Sequence, residues 1–127
     1  MDDFKADEEL LRVIPNKPKM IKDNGCVSSA LFKDSWGCSV SRQGERDIDV
    51  AVSTLKEKFN KIRHSLDASS KGVASVKYID CKIADTYIKK CPSSTDIYHC
   101  EIHDSEHKIE LSPGKAKKLA ASAIIYK

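Results

Sequence analysis

The stretch DIDVAVSTLKEKFNKIRHSL constrains this chain more than any other. Ile48, Val52, Leu55, Phe59, Ile62 and Leu66 recur at spacings of three and four, the apolar stripe of an amphipathic helix. Asp47 is placed to accept from the free N–H groups of the first turn. Glu57 and Lys61 form an i,i+4 pair on the wet side, and Arg63 and His64 bring positive charge to the last turns. Such a stripe must be buried against another element, and Phe59 is expected to be among its most buried residues.

The remainder of the chain reads as strands and loops. Residues 1–8 are polar and expected to fray, and EELLRVIP is either a last helical turn or a strand, ended by Pro15. PNKPKMIKDNG is a surface loop with an Asn-Gly turn signal. CVSSALFKDSWGCSVSR suggests a hairpin turning at Asp34 to Gly37. VASVKYI reads as a strand, and DCKIADTYIKKC as a short helix over 81–85 followed by a strand over 87–91. Gly72 serves as a joint after the long helix. In SPGKAKKLAASAIIYK, Ser112 is an N-cap and Pro113 suits the first helical position. Ala116, Leu119, Ala120 and Ala123 give that helix a narrow buried face. The expected fold is α+β: a small, mostly antiparallel sheet packed by one long amphipathic helix and a C-terminal helix. The 127 residues, 40% hydrophobic, suffice for a single domain over 1–127 without covalent staples.

Five cysteines, Cys26, Cys38, Cys81, Cys91 and Cys100, include no Cys-x-x-Cys pair, so zinc-ribbon and thioredoxin-like readings lose their support. They read as small core hydrophobes and reduced thiols. The acidic start MDDFKADEEL offers no secretory signal, and no apolar run approaches a membrane span. A cytoplasmic protein without membrane attachment is expected. The net charge of +3 is too mild to argue for nucleic acid, although Lys56, Lys58, Lys61 and Arg63 on the long helix could meet it.

The richest chemical cluster is IYHCEIHDSEHKIEL. Tyr98, Cys100 and Ile102 alternate with His99, Glu101 and His103, which is strand periodicity, so those two sets face opposite sides. HDSEH then turns, and His107, Ile109 and Leu111 mark a return strand. A solvated sheet face is the first expectation for the histidines. The alternatives are a His99 that contacts ligand or acts in catalysis, and a metal held by His99, Glu101 and His103. The zinc-protease signature is not met, because this is His-x-Glu-x-His on a strand. No cofactor and no stoichiometric zinc are expected. Ser28 and Ser29 could supply a nucleophile but lack a Gly-x-Ser-x-Gly elbow, and SPGKAKK lacks the spacing of a phosphate-binding loop.

Arg12, Ile14, Pro15, Ser28, Ser29, Phe32, Ser39 and Val40 make a pattern, Arg-x-Ile-Pro … Ser-Ser-x-x-Phe … Ser-Val. Together with His99 and the lysine- and alanine-rich last helix, it resembles a family of small, largely uncharacterised bacterial proteins. DNGC stands here where that pattern has Asp-Gly-Arg, and Ser41 where it has Asp. The resemblance implies a bacterial cytosolic domain and no particular activity. Two functions are carried forward with a third beside them. The first is an accessory or interaction protein of a bacterial multigene system concerned with defence or stress, whose partner is another protein. The second is a small hydrolase of phosphodiesters or nucleotides, with His99 as general acid or base and Ser28, Ser29, Arg12 and Glu101 nearby. The third is weak nucleic-acid binding through the helix lysines.

Overall fold

The structure is a computed structural model that describes residues 4–62 and 70–127, except for the side chains of residues 60–62 and 70–71. The elements follow in the order β1 (Glu9–Pro15), a 3-10 turn (Ser29–Phe32), β2 (Cys38–Arg42), α1 (Ile48–Ile62), β3 (Ser70–Lys77), α2 (Tyr78–Ile83), β4 (Tyr87–Lys90), β5 (His99–His103), α3 (Pro113–Ser122) and β6 (Ile124–Tyr126). The six strands form one sheet in the order β4-β5-β2-β1-β3-β6, and every neighbouring pair is antiparallel. The α+β expectation is met.

The period of two along each strand sends its side chains to two very different environments. Leu10 and Ile14 of β1, Cys38 and Val40 of β2, Ala74 and Val76 of β3, and Cys100 and Ile102 of β5 point to one side. There they meet Leu31 and Phe32 of the 3-10 turn, Cys81 and Ala84 beside α2, Leu111, and Ala116 and Leu119 of α3. This is the main core. On the other side Leu11 and Val73 meet Ala51 and Val52 of α1, with Leu55 and Tyr126 packed around them. α1 lies on β1 and β3. Over β2 and β5, α1 leaves a cleft lined by Leu55, Lys58 and Phe59 instead of a packed core.

Several local readings hold for the reasons given. Asp47 accepts from Asp49 N–H at 3.1 Å, and Ser112 Oγ from Lys115 N–H at 3.4 Å, with Pro113 opening α3. EELLRVIP is a strand. Arg63, His64 and Leu66 lie outside the described residues.

Other readings are corrected. CVSSALF is not the first arm of a hairpin. Leu31 and Phe32 are consecutive and both buried in the same core, which a strand cannot arrange, and Ser28 Oγ accepts from Ala30 N–H at 3.2 Å to start a 3-10 turn instead. The return strand after HDSEH shrinks to one bridge, Ser105–Lys108, because Leu111 enters the main core and Ser112 begins α3. Residues 4–8 are not frayed. Glu8 is 5% exposed, and the Phe4 ring stacks on Tyr78 with centroids 4.7 Å apart. Phe59 is only half-buried; the closest contact of α1 is made by Ala51 and Val52, near its start. Gly72 is no joint but part of β3. At φ +127° it lets β6 approach, since a Cβ there would stand 2.7 Å from the Tyr126 carbonyl oxygen. The C-terminal AIIYK is not helical throughout: Ile124–Tyr126 pairs with Val73–Ser75 as β6.

Candidate functional site

The uncovered part of the sheet arises from how β1 and β2 pair. They match only at Leu10–Arg42 and Leu11–Ser41. Beyond that point they separate, and the Arg12 guanidinium fills the split. Its Nε donates to the Leu31 carbonyl and its Nη1 to the Ser39 carbonyl, both at 2.7 Å, while Nη2 stands 3.7 Å from Asp34. A side chain thus supplies hydrogen bonds that the ladder no longer provides.

Above the split lies a cleft of about 430 Å³. β1 contributes Leu11 and Val13, β2 contributes Ser39 and Ser41, β5 contributes His99, and α1 contributes Leu55, Lys58 and Phe59. Arg12, Lys17, Asp34 and Asp96 complete the polar lining. The alternation places Ser39 and Ser41 here because Cys38 and Val40 belong to the main core. Ser41 pairs directly with His99 across the β2–β5 ladder. Asp96 Oδ1 accepts from Tyr98 N–H at 2.9 Å, and its other oxygen lies 3.9 Å from Lys58, whose ammonium also donates to the Thr95 carbonyl.

The sequence-derived candidates therefore separate. His99 and Arg12 share the cleft. Glu101 lies on the same sheet face but is engaged with His103, whose Nε2 is 2.7 Å from Glu101 Oε1. This pair sits over Gly37, at φ +112°, where a Cβ would come 2.6 Å from Glu101 Oε1. Ser28 and Ser29 belong to the 3-10 turn, which packs on α3 on the opposite side of the sheet. Ser29 lines a separate groove of about 630 Å³ beside Cys26 and α3. The hydroxyls that face His99's cleft are those of Ser39 and Ser41. The signal for them lies in CSVSR, where Cys38 and Val40, which enter the main core, alternate with Ser39 and Ser41.

The three histidines do not share one environment. His99 is half-buried at the cleft, His103 is buried against Glu101, and the His107 side chain is 90% exposed. The expectation of a uniformly solvated face fails at His103. Among the described residues, no group of three or more histidine, cysteine or acidic side chains gathers to hold a metal ion.

Electrostatics elsewhere is structural. Burial pushes the Glu8 carboxyl up, but the Arg42 fork, at 2.6 and 2.8 Å, and the Gly44 N–H outweigh it and hold the group below its ordinary value. Asp104 is held low chiefly by the Ser112 N–H, and this contact, with Lys115, ties the end of β5 to α3. Tyr126 is pushed up to about 12 by burial and by its hydrogen bond to Glu9, whose carboxylate also accepts from Ser75. Burial raises the thiols of Cys38 and Cys100 to about 11 and that of Cys81 to about 12. Those three behave as apolar core residues; Cys26 is exposed, and Cys91 is half-buried.

No protein-family model, no curated protein and no solved structure matches this chain. Among the described residues no helix is long and apolar enough to cross a membrane.

Proposed function

We propose that this chain is a binding protein, an accessory or interaction module within a bacterial multigene system concerned with defence or stress. The observation that supports this reading is Trp36, 89% exposed in the turn that leads into β2. An indole held in water is unfavourable for a lone chain, and tryptophan is the residue most enriched among energetic anchors of protein interfaces. The next residue, Gly37, packs against the Glu101–His103 pair, so Trp36 is anchored in the chain beside β5. Tyr87, 38% exposed with its ring 6.3 Å from His103, adds a second aromatic to that side. A cytoplasmic setting fits the use of three reduced cysteines as core residues.

Trp36 is the chain's one tryptophan, so its fluorescence reports on this surface directly. The purified products of neighbouring genes should include one that shifts the emission to the blue with a saturating titration. In Trp36→Ala, binding of the same neighbour, followed by a probe other than tryptophan emission, should be lost. An emission that stays red with every neighbour, while the chain remains monomeric, would defeat the reading.

A second reading, a small hydrolase of phosphodiesters or nucleotides, is favoured by one observation: His99 and Arg12 line a common cleft. Ser28, Ser29 and Glu101 take other positions, so a hydroxyl partner for His99 would be Ser41. Turnover of an activated aryl phosphodiester, abolished in His99→Gln, would support it. The nucleic-acid reading draws less support, because Lys56 and Lys58 are directed to the carbonyls of Lys127 and Thr95.

A further inference from the structure

We propose that the cleft between α1 and the β1–β2–β5 face binds a small ligand bearing a phosphate monoester, recognised at its floor by the Ser41 hydroxyl and the His99 imidazole. Ser41 is only 4% exposed, yet its hydroxyl has no hydrogen-bond partner among the described residues. Buried hydroxyls are almost always satisfied. No described side-chain polar atom is both fully inaccessible and unpartnered, so the Ser41 oxygen keeps its access through the cleft that it lines. His99, its cross-strand neighbour, also has an imidazole without a hydrogen-bond partner among the described residues. Side chains directly opposite on adjacent strands stand roughly 5 Å apart at Cβ, so one ligand group can meet both.

Charge selects the ligand. Two cation–carboxylate pairs on the wall compensate one another, Arg12 with Asp34 and Lys58 with Asp96. Lys17, exposed at the rim, has no ionic partner among the described residues and leaves the lining with one uncompensated positive charge. An anion is therefore favoured. The donors arrive from three separate segments: Lys17 after β1, Ser39 and Ser41 on β2, and His99 on β5. Convergence from several directions suits a tetrahedral oxyanion better than a planar carboxylate. Leu55 and Phe59 offer an apolar wall beside these groups, which suits an organic remainder on the phosphate. The volume, about 430 Å³, falls in the range of small-molecule sites. Binding needs no cleavage, so the proposal stands apart from both the hydrolytic and the partner-docking readings.

The test is a titration of the intact chain followed by amide and imidazole NMR. The probe is phenyl phosphate, with inorganic phosphate and benzoate alongside. Phenyl phosphate should move the Ser41 and His99 signals in a saturable way and more tightly than inorganic phosphate. Ser41→Ala and Lys17→Gln should each fold normally and weaken binding about tenfold, the loss expected for a hydrogen bond or ion pair to a charged group. No saturable shift in the millimolar range would overturn the proposal, as would unaltered binding in both variants. Benzoate binding as tightly as phenyl phosphate would overturn the assignment to phosphate.

Discussion

The two sides of the sheet are built from the same strands and are finished differently. One side is closed by the 3-10 turn, α2 and α3, and its core runs from β4 to β6. Among the described residues the other carries α1, over β1 and β3, with a small core of Leu11, Ala51, Val52 and Val73. Stability therefore resides mainly on the closed side. The open side holds His99, Arg12 and Lys58 half-buried at low cost, because water still reaches them. Residues on the open side are free to serve recognition for the same reason.

This contrast can be broken most directly by comparing two phenylalanines. Phe32 lies in the closed core at 1% exposure, and Phe59 lines the cleft, half-buried. Phe32→Ala should cost about 3–5 kcal/mol in urea unfolding. Phe59→Ala should lose less than half of that. Equal losses would mean that α1 is seated as deeply as the opposite side and that the asymmetry is false.

The next largest effect belongs to Glu8 at the edge of the closed core. Glu8→Gln breaks its ion pair with Arg42 while leaving the volume unchanged. The expected loss is about 2–3 kcal/mol, toward the lower end for a broken buried pair because Arg42 still reaches water. The sign of the pH effect follows from the lowered carboxyl. Its contribution is present above the ordinary value of 4.5 and is lost as pH falls through the lower folded value. Wild type should therefore lose stability on acidification more steeply than Glu8→Gln. Parallel acid curves would show that the Arg42 fork is not formed in solution.

The smallest effect sharpens the comparison. His99→Gln should change stability by no more than about 0.5 kcal/mol, because no hydrogen bond of the imidazole is lost among the described residues. Thermal unfolding would measure it. A loss of several times that amount would make His99 a structural member of the β2–β5 ladder rather than a group held for a ligand.

Some of this was legible in the residues. The stripe from Ile48 to Phe59 named α1, Ser112-Pro113 named the start of α3, and the alternation around Cys100 and Ile102 named β5 and its inward face. These are local patterns, set by helical or strand period and by capping chemistry within a few residues. Phe59 is less buried than its stripe suggests, because a stripe marks which face of a helix is apolar, not how far along that face the sheet extends. Ser28 and Ser29 lie on the opposite side of the sheet from His99, and a dipeptide carries no information about which side it joins.

The cleft itself was decided by tertiary structure. Ser41 meets His99 only because β2 pairs with β5, two strands separated by α1, β3, α2 and β4 in the chain. Arg12 enters the same region only because β1 and β2 part after Leu11–Ser41. Local sequence sets the period and the facing of each strand. The order of strands, and the place where two of them separate, follow from how all the apolar faces are buried at once, and that is a property of the whole chain.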